Sequence, residues 1–183
     1  MKKLFVLLLP FIASAQIDGV TFQSEFAKLL NAYRVANHLT PVKVNVKLTK
    51  AAQIQSDYLA STVTVDSTGK IYSKISHMHH EFLYPADRVA KIDAELESKT
   101  LASECVAMSY FYETSTSRDL AEDVFKMWKK SPGHNAILLS DIDEIGVSVS
   151  LKINKTIIKS RFDFEYDWVS RVYYSALVGV KYF

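Results

Sequence analysis

The chain reads Trp128-Lys129-Lys130-Ser131-Pro132-Gly133-His134-Asn135-Ala136-Ile137-Leu138-Leu139 at the point where a helical pattern ends and a histidine follows. Apolar residues recur at helical spacing over residues 120–128, which predicts a helix leading into this segment. Pro132 cannot continue the hydrogen bonding of that helix, and Gly133 permits a turn that larger residues resist. We therefore expect His134 to be held at an abrupt bend.

Further helices are predicted upstream of this segment. Apolar residues at helical spacing indicate amphipathic helices over about residues 21–37 and about residues 45–61. Pro85 favours the first position of a short helix over residues 85–92. We expect the two longer helices to be scaffold for the core.

A central strand is predicted over residues 101–112, which are apolar or aromatic at both alternating sets of positions with few exceptions. Such a pattern is typical of a strand covered on both faces. Glu104 is one of the exceptions. Because an isolated carboxylate is costly to bury, we expect this side chain to be paired, hydrogen-bonded or exposed in a cleft.

The C-terminal part of the chain has the alternation of strands. Apolar and polar residues alternate over residues 145–151 and 161–166, and a last strand is predicted over about residues 172–182. Asn154 and Lys155 favour a turn before the middle strand. The sequence therefore predicts an antiparallel meander in this half.

The first fifteen residues have the pattern of a secretory signal peptide. Met1-Lys2-Lys3 is basic, residues 4–12 are apolar, and residues 13–15 are small. Because the apolar run of nine residues is shorter than the roughly 20 that cross a bilayer, we expect cleavage before Gln16 and no stable membrane insertion afterwards. The prediction is an exported protein, periplasmic or secreted, with one domain over residues 16–183.

Charge and cysteine content exclude some classes of protein. Without residues 1–15 the chain carries 20 basic and 20 acidic side chains, so a basic surface for nucleic acid is not indicated. Cys105 is the only cysteine, so no intramolecular disulfide can stabilise the domain. Packing must stabilise the fold, and ten Phe, ten Tyr and two Trp are available for it.

Three of the five histidines lie in Ser76-His77-Met78-His79-His80-Glu81. Imidazoles are common ligands of zinc and similar ions, so this crowding admits a metal site. The spacing is not that of a His-Glu-x-x-His motif, however, and histidines in surface loops are often simply solvated. Both interpretations stay open for His79 and His80.

Four segments together resemble a known family. They are Leu30–Arg34 with Leu39–Pro41 and Ala51-Ala52; Ser76-His77 followed by Pro85–Arg88; Ala102–Glu104; and Trp128–Leu139 followed by Glu144–Val147. In this order they resemble the CAP superfamily, which includes cysteine-rich secretory proteins, antigen 5 and plant pathogenesis-related proteins. The resemblance is strongest to compact bacterial SCP-like domains and covers about residues 24–150.

The resemblance implies an α+β fold, a three-layer α-β-α sandwich with a central antiparallel sheet. It also implies a cleft lined by two histidines and two acidic residues. His77 matches the first histidine, Glu104 the first glutamate and His134 the second histidine. His80 is the alternative to His77 if the loop is aligned three residues later.

The second acidic residue of the family cleft has no equivalent here, because Ser131 stands at its position. At 100° per residue, Glu122 would lie on the opposite face of the helix and Asp123 about 80° away, so neither replaces it. Cys105 stands where an asparagine often follows the first glutamate. Three of the four family residues therefore remain.

Several functions are compatible with these residues. We expect a monomeric ligand-binding or interaction module whose partner is a small molecule, a lipid or sterol, or a protein, and His77, Glu104 and His134 could hold Zn²⁺ or another divalent ion. The alternative is a metal-dependent or protease-like hydrolase with the same three residues as catalytic groups. Neither Ser131 nor Cys105 lies in a nucleophile motif. A structural extracellular domain is the third alternative.

Overall fold

The computed structural model describes residues 17–66, 70–73, 75–98, 100–110, 115–159 and 165–183. The predicted signal peptide lies outside these residues. In the part of the chain that the structure describes, none of the helices combines the length and apolar character that crossing a membrane requires.

Helices and strands alternate irregularly along the chain. The helices are α1 (Gly19–Ala36), α2 (Val46–Ser61), α3 (Pro85–Ile92), α4 (Ala94–Glu97), α5 (Ser117–Lys130) and α6 (Pro132–Leu138). The strands are β1 (Lys43–Val44), β2 (Thr64–Val65), β3 (Ile71–Tyr72), β4 (Thr100–Tyr110), β5 (Glu144–Lys159) and β6 (Glu165–Tyr182).

Local side-chain chemistry explains where the main helices begin. Asp18 and Asn45 precede α1 and α2, and each side chain accepts hydrogen bonds from backbone N–H groups of the first turn. Thr116 and Asp119 form a capping box at the start of α5, and Pro85 is the first residue of α3. The predicted helices over residues 21–37, 45–61 and 85–92 are confirmed within two residues at each end.

The main sheet has the strand order β1-β5-β6-β4. β6 pairs antiparallel with both β5 and β4, and the short β1 pairs parallel with β5. Glu104 in β4 lies opposite Val178 in β6. A smaller antiparallel pair is formed by β2 and β3. The expected central antiparallel sheet is therefore present, with a short parallel strand at one edge.

Helices cover both faces of this sheet. One core packs α1, α5 and α6 against it and includes Phe22, Phe26, Leu30, Cys105, Trp128, Ile145 and Leu177. The other core packs α2 and α3 against the opposite face and includes Leu48, Leu59, Val89, Val106, Tyr174 and Val178. Each large apolar side chain that is fully buried contributes roughly 1.5–3 kcal/mol of stability. The molecule is a three-layer α-β-α sandwich.

Two consecutive residues of β4 show how the strand serves both layers. Cys105 belongs to the core under α1 and α5, and Val106 belongs to the core under α2. Successive side chains of a strand point to opposite faces, so an apolar strand with helices on both sides buries both sets. The predicted strand over residues 101–112 is confirmed for its described residues, and both of its faces are covered. Its predicted central position is wrong, because β4 lies at an edge of the main sheet, next to β6. Helices on both sides of the sheet bury the faces of this edge strand as they would those of a central one.

Gly146 in β5 marks a close approach of a helix to the sheet. A Cβ atom at this position would clash with the backbone of Leu48 and Thr49 in α2. Glycine is required because it alone has no side chain there.

The predicted meander of three strands is wrong, because two long strands, β5 and β6, take its place. β5 continues from Glu144 to Lys159, so Asn154 and Lys155 lie inside a strand, opposite Ser170 and Val169 of β6. Two turn-favouring residues do not end a strand whose backbone is paired along its whole length and which continues into β-branched residues. Residues 165–182 likewise form one strand, and residues 161–164 of the predicted middle strand lie outside the described residues.

Candidate functional site

His77 lies in the segment that connects β3 to α3, here called the histidine loop (residues 75–84). Its side chain is 54% exposed, and its Nδ1 is 3.0 Å from Oε2 of Glu104. The loop is fixed to α2 one residue earlier, where Gln55 Nε2 donates a hydrogen bond of 2.7 Å to the carbonyl of Ser76. His77, and not His80, is therefore the loop histidine that meets Glu104.

Glu104 is the buried centre of the site. Its side chain is 1% exposed, and Oε1 accepts a hydrogen bond from Nη2 of Arg88, whose side chain is fully buried in α3. Oε2 faces His77. The expectation that this carboxylate is paired is confirmed, and the ion pair offsets part of the cost of removing both charges from water.

Arg88 is the site residue that the sequence analysis missed. It lies in one of the segments that carry the family resemblance, but nothing local shows that it pairs with a residue 16 positions later in another element. One signal was available: a buried acid requires a buried base, and charged residues are almost never fully buried unless they are paired. Arg88 and Glu104 neutralise each other's charge in this way, and Nη1 of Arg88 also donates to the carbonyl of Phe82 at 3.5 Å.

The chain of contacts from Arg88 through Glu104 to His77 defines a tautomer. A carboxylate has only acceptor oxygens, so Nδ1 of His77 carries the proton, and this N–H donates a hydrogen bond to Glu104. In the neutral imidazole the other nitrogen, Nε2, then keeps its lone pair. His77 can therefore accept a hydrogen bond, coordinate a cation or take up a proton at Nε2.

His134 lies in the first turn of α6, and its ring centroid is 6.1 Å from that of His77. The ring of Trp128 is also a neighbour of the His134 ring, and the centroids of these two rings are 6.4 Å apart. Partial burial, and secondarily the charge of His77, lower the pKa of His134 below its ordinary value. His134 is therefore a neutral imidazole at pH 7.

The predicted bend before His134 is present, but Gly133 does not make it. Ser131 has an extended backbone. It is the C-cap of α5 and also the N-cap of α6, which begins at Pro132. Gly133 lies inside α6 without a positive φ angle. The change of direction is at Ser131 because proline starts a helix readily, where its missing N–H is not needed.

The missing acidic residue is not replaced from the outer face of α5. Glu122 lies within 3.2 Å of Arg118 and 3.5 Å of Lys126, all on the exposed side of the helix. Ser131 is half-buried, and its side chain makes no capping hydrogen bond within the described chain. The predicted direction of Glu122, away from the site, is confirmed.

The other two histidines of the loop differ from each other. His80 is exposed, with Nε2 3.5 Å from Oε1 of Glu81, as expected for a solvated loop histidine. His79 is only 7% exposed, so that interpretation is wrong for His79. It is buried because its ring packs against those of Tyr58 and Phe82, with centroids 4.4 and 5.0 Å apart.

The arrangement bears on the metal and nucleophile hypotheses. Among the described residues, no group of three or more His, Cys, Asp or Glu side chains is placed to hold a metal ion, so ligation by His77, Glu104 and His134 together stays a prediction. Cys105 is buried, and its burial and the nearby Glu104 charge raise the pKa of its thiol far above the ordinary value. A thiolate nucleophile at this position is therefore disfavoured.

Comparison with known proteins supports the family suggested by the motifs. The model of the cysteine-rich secretory protein family (CAP) matches residues 27–156. No curated protein sequence matches this chain.

Two solved structures show the same fold. An outer surface protein from Borrelia burgdorferi is similar with 17% identity and a TM-score of 0.56, over 87% of this chain and 92% of that chain. An extracellular protein containing an SCP domain, from Bacillus anthracis, is similar with 15% identity and a TM-score of 0.53, over 87% of this chain and 41% of that one. At these identities the likeness concerns the fold alone.

Proposed function

Because the chain belongs to the cysteine-rich secretory protein (CAP) family, we propose that it is an exported ligand-binding or interaction module. Its ligand contacts the imidazoles of His77 and His134. The residues Arg88, Glu104, His77 and His134 are called the histidine site below.

The contact chain from Arg88 through Glu104 to His77 carries this proposal. Removing two charges from water costs free energy, and apolar residues of similar volume often stabilise a core as well as a buried ion pair or better. Here the buried pair ends at an imidazole that is 54% exposed, so it orients a group that solvent and ligands can reach. Such support behind an exposed group is typical of binding sites, where orientation matters more than stability.

A divalent cation such as Zn²⁺ is one ligand that fits these groups. His77 and His134 would supply nitrogen ligands, while Glu104 would hold His77 from behind, as carboxylates commonly do for zinc-bound histidines. The ring separation of 6.1 Å supports this assignment, because Zn–N bonds are about 2.0–2.1 Å and the two rings are neighbours. Bound zinc would act there as a Lewis acid.

Zinc titration by calorimetry tests this ligand. The protein should bind one ion, and His77→Ala and His134→Ala should each weaken binding by at least about tenfold. His80→Ala is the matched control, because His80 is an exposed histidine of the same loop, and it should bind like the wild type. No uptake, or uptake unchanged in both site variants, would contradict the zinc proposal.

A lipid or sterol is a second ligand class that the surface supports. The histidine loop and its flanks expose large apolar side chains, namely Tyr72, Ile75, Met78, Leu83 and Tyr84. Solvent extraction followed by mass spectrometry should recover a bound lipid, and the stripped protein should take up fatty acid or sterol. A protein that is empty and takes up neither would contradict this class.

Hydrolysis is a second candidate function, favoured by the carboxylate–imidazole pair. Glu104 holds His77 with Nε2 free to accept a proton, which is what a general base requires. A panel of peptide and ester substrates should then show turnover that disappears in His77→Ala and Glu104→Ala. Activity that survives both substitutions would come from a contaminant. Negative results for metal, lipid and hydrolysis together would favour the structural-domain alternative.

Export is supported by the basic and apolar N-terminal pattern and by the similar structures, one an outer surface protein and one extracellular. N-terminal sequencing of the protein from the cell exterior or periplasm should begin at Gln16. Recovery only from the cytoplasm, with Met1 retained, would overturn this part of the proposal.

A further inference from the structure

A second candidate site lies beside the histidine loop, in a pocket of about 370 Å³ between that loop and α2. Its walls include Tyr58 from α2, His79 and His80 from the loop, and the apolar side chains of Met78 and Leu83. The residues of the histidine site do not belong to this lining. Small-molecule pockets commonly measure about 300–1,000 Å³, so the volume suits a ligand of modest size.

Aromatic rings form one wall of this pocket, here called the ring pocket. The rings of His79 and His80 are stacked, with centroids 4.4 Å apart and planes inclined by 24°. The ring of Tyr58 lies 4.4 Å from His79 and 5.1 Å from His80. All three rings also line the pocket, and the faces or edges that they present to it can pack against another flat ring.

His79 supplies a hydrogen-bond donor whose position can be deduced. The backbone N–H of Glu81 donates to Nδ1 of His79 at 3.0 Å, so that nitrogen is unprotonated. The neutral ring therefore carries its proton on Nε2. Within the described residues, this N–H has no hydrogen-bond partner, although His79 is 7% exposed and lines the pocket.

The position of this donor depends only on geometry. Nδ1 of His79 accepts the backbone hydrogen bond, so the N–H is at Nε2, on a ring that lines the pocket. A ligand oxygen placed in the pocket can accept a hydrogen bond from this donor.

We propose that the ring pocket binds a small planar aromatic molecule that carries a carboxylate or carbonyl oxygen. The aromatic ring packs against Tyr58 and His80, and the oxygen accepts the hydrogen bond from Nε2 of His79. Met78 and Leu83, which are 60% and 54% exposed, cover the ring from the solvent side. This site goes beyond the proposed function, because it uses none of the residues of the histidine site.

Titration with 2-naphthoate, followed by NMR and calorimetry on the protein, tests the proposal. The comparison probe is 2-naphthylmethylammonium, which has the same ring system with a donor group in place of the acceptor. We expect saturable binding of 2-naphthoate and at least about tenfold weaker binding of the ammonium probe, which cannot accept the hydrogen bond and carries the opposite charge. Equal affinities, or no saturation with 2-naphthoate, would overturn the proposal.

Variants locate the binding and separate it from the histidine site. Tyr58→Ala should weaken 2-naphthoate at least about fivefold, since it removes a ring from the wall. His79→Phe keeps a ring without an N–H and should reduce the preference between the two probes to the part that comes from their opposite charges. His134→Ala is the control: it should bind zinc more weakly but bind 2-naphthoate like the wild type, so the two proposals fail independently.

Intermolecular NOEs in the wild-type protein make the test independent of how well the variants fold. Contacts from 2-naphthoate protons to the Met78 methyl group and the His80 ring are expected. NOEs to any other surface, without these two, would overturn the assignment of the pocket.

Discussion

Among the described residues, two arginines are almost fully buried, Arg34 at 2% and Arg88 at 0% exposure, and their charges are satisfied differently. Arg34 in α1 donates to backbone carbonyls at 2.9–3.4 Å, those of Thr40, Leu138, Ser140 and Ile142. Arg88 in α3 donates to the carboxylate of Glu104, which in turn accepts from His77.

The difference separates scaffold from site. Carbonyls are neutral and belong to the backbone, so Arg34 fixes the segment after α1 to the connection between α6 and β5. These hydrogen bonds orient backbone and not a ligand-binding side chain. A carboxylate has a second oxygen, and Glu104 uses it to orient an imidazole that solvent can reach. The structure thus has one buried cation that stabilises loops and another that organises a binding group.

Removal of Arg88 should have the largest effect on the free energy of unfolding and tests this contrast directly. Arg88→Met leaves the buried Glu104 carboxylate unpaired, and we expect the free energy of unfolding to fall by about 3–5 kcal/mol in urea denaturation. Arg118→Met is the matched control, because Arg118 pairs with Glu122 on the surface, and it should cost less than about 1 kcal/mol.

A double substitution distinguishes an unpaired charge from lost packing. Arg88→Met combined with Glu104→Met removes both charges, and at least half of the lost stability should return. A double variant as unstable as Arg88→Met alone would show that packing, and not the pair, explains the effect.

Removal of Arg34 should cost less and behave differently. Arg34→Met leaves several carbonyls without donors, and we expect a loss of about 2–3 kcal/mol in the same urea experiment. The imidazole NMR signals of His77 should not change, since within the described residues the hydrogen bonds of Arg34 go to backbone carbonyls and that of His77 goes to Glu104. A shift of those signals as large as that in Arg88→Met would contradict the separation of scaffold and site.

A substitution of Glu104 tests the second link of the Arg88 chain. Glu104→Gln replaces a charged acceptor by a neutral one, so the proton of His77 should be held less strongly on Nδ1. The difference of about 1 kcal/mol between charged and neutral hydrogen bonds predicts a roughly fivefold change in the tautomer ratio, measured from ¹⁵N shifts. Glu122→Gln on the outer face of α5 should leave the ratio unchanged.

The smallest expected effect is the dependence of the free energy of unfolding on pH. Near neutral pH, the histidine site should contribute to this dependence and the surroundings of Arg34 should not. Burial and the charge of His77 lower the pKa of His134 in the folded protein, so its stabilising contribution is complete above its ordinary value of 6.5. As the pH falls through the lower folded pKa, the unfolded chain takes up the proton first and stability decreases.

Urea unfolding between about pH 7.5 and pH 5 checks this, with His134→Gln as the reference. The wild type should lose stability relative to the variant on acidification. Near Arg34, the backbone N–H of Tyr182 lowers the pKa of Asp143, so that network titrates below this window. A wild type and variant with parallel pH profiles would contradict the assignment to His134.

Part of the site was visible in the sequence. His77, Glu104 and His134 lie in short motifs whose order along the chain is that of the family, and Glu104 was conspicuous as an acid in an apolar strand. Arg88 lay within such a motif, but its role depends on how α3 packs against β4. The burial of His79 was missed because a histidine in a polar loop carries no local sign of the tyrosine on α2 that covers it.

The sequence by itself determined the helices, the apolar strand β4 and the family, because periodicity, capping residues and proline act over a few neighbouring positions. It did not determine that β4 lies at an edge of the sheet, since that depends on which strands pair. It did not determine the length of the β5–β6 hairpin, since Asn154 and Lys155 favour a turn locally and only pairing with β6 holds them in a strand. It also did not determine which charges meet. Glu104 reaches Arg88 on one side and His77 on the other only after the layers have packed, because Coulomb and hydrogen-bond energies depend on distances that sequence separation does not define.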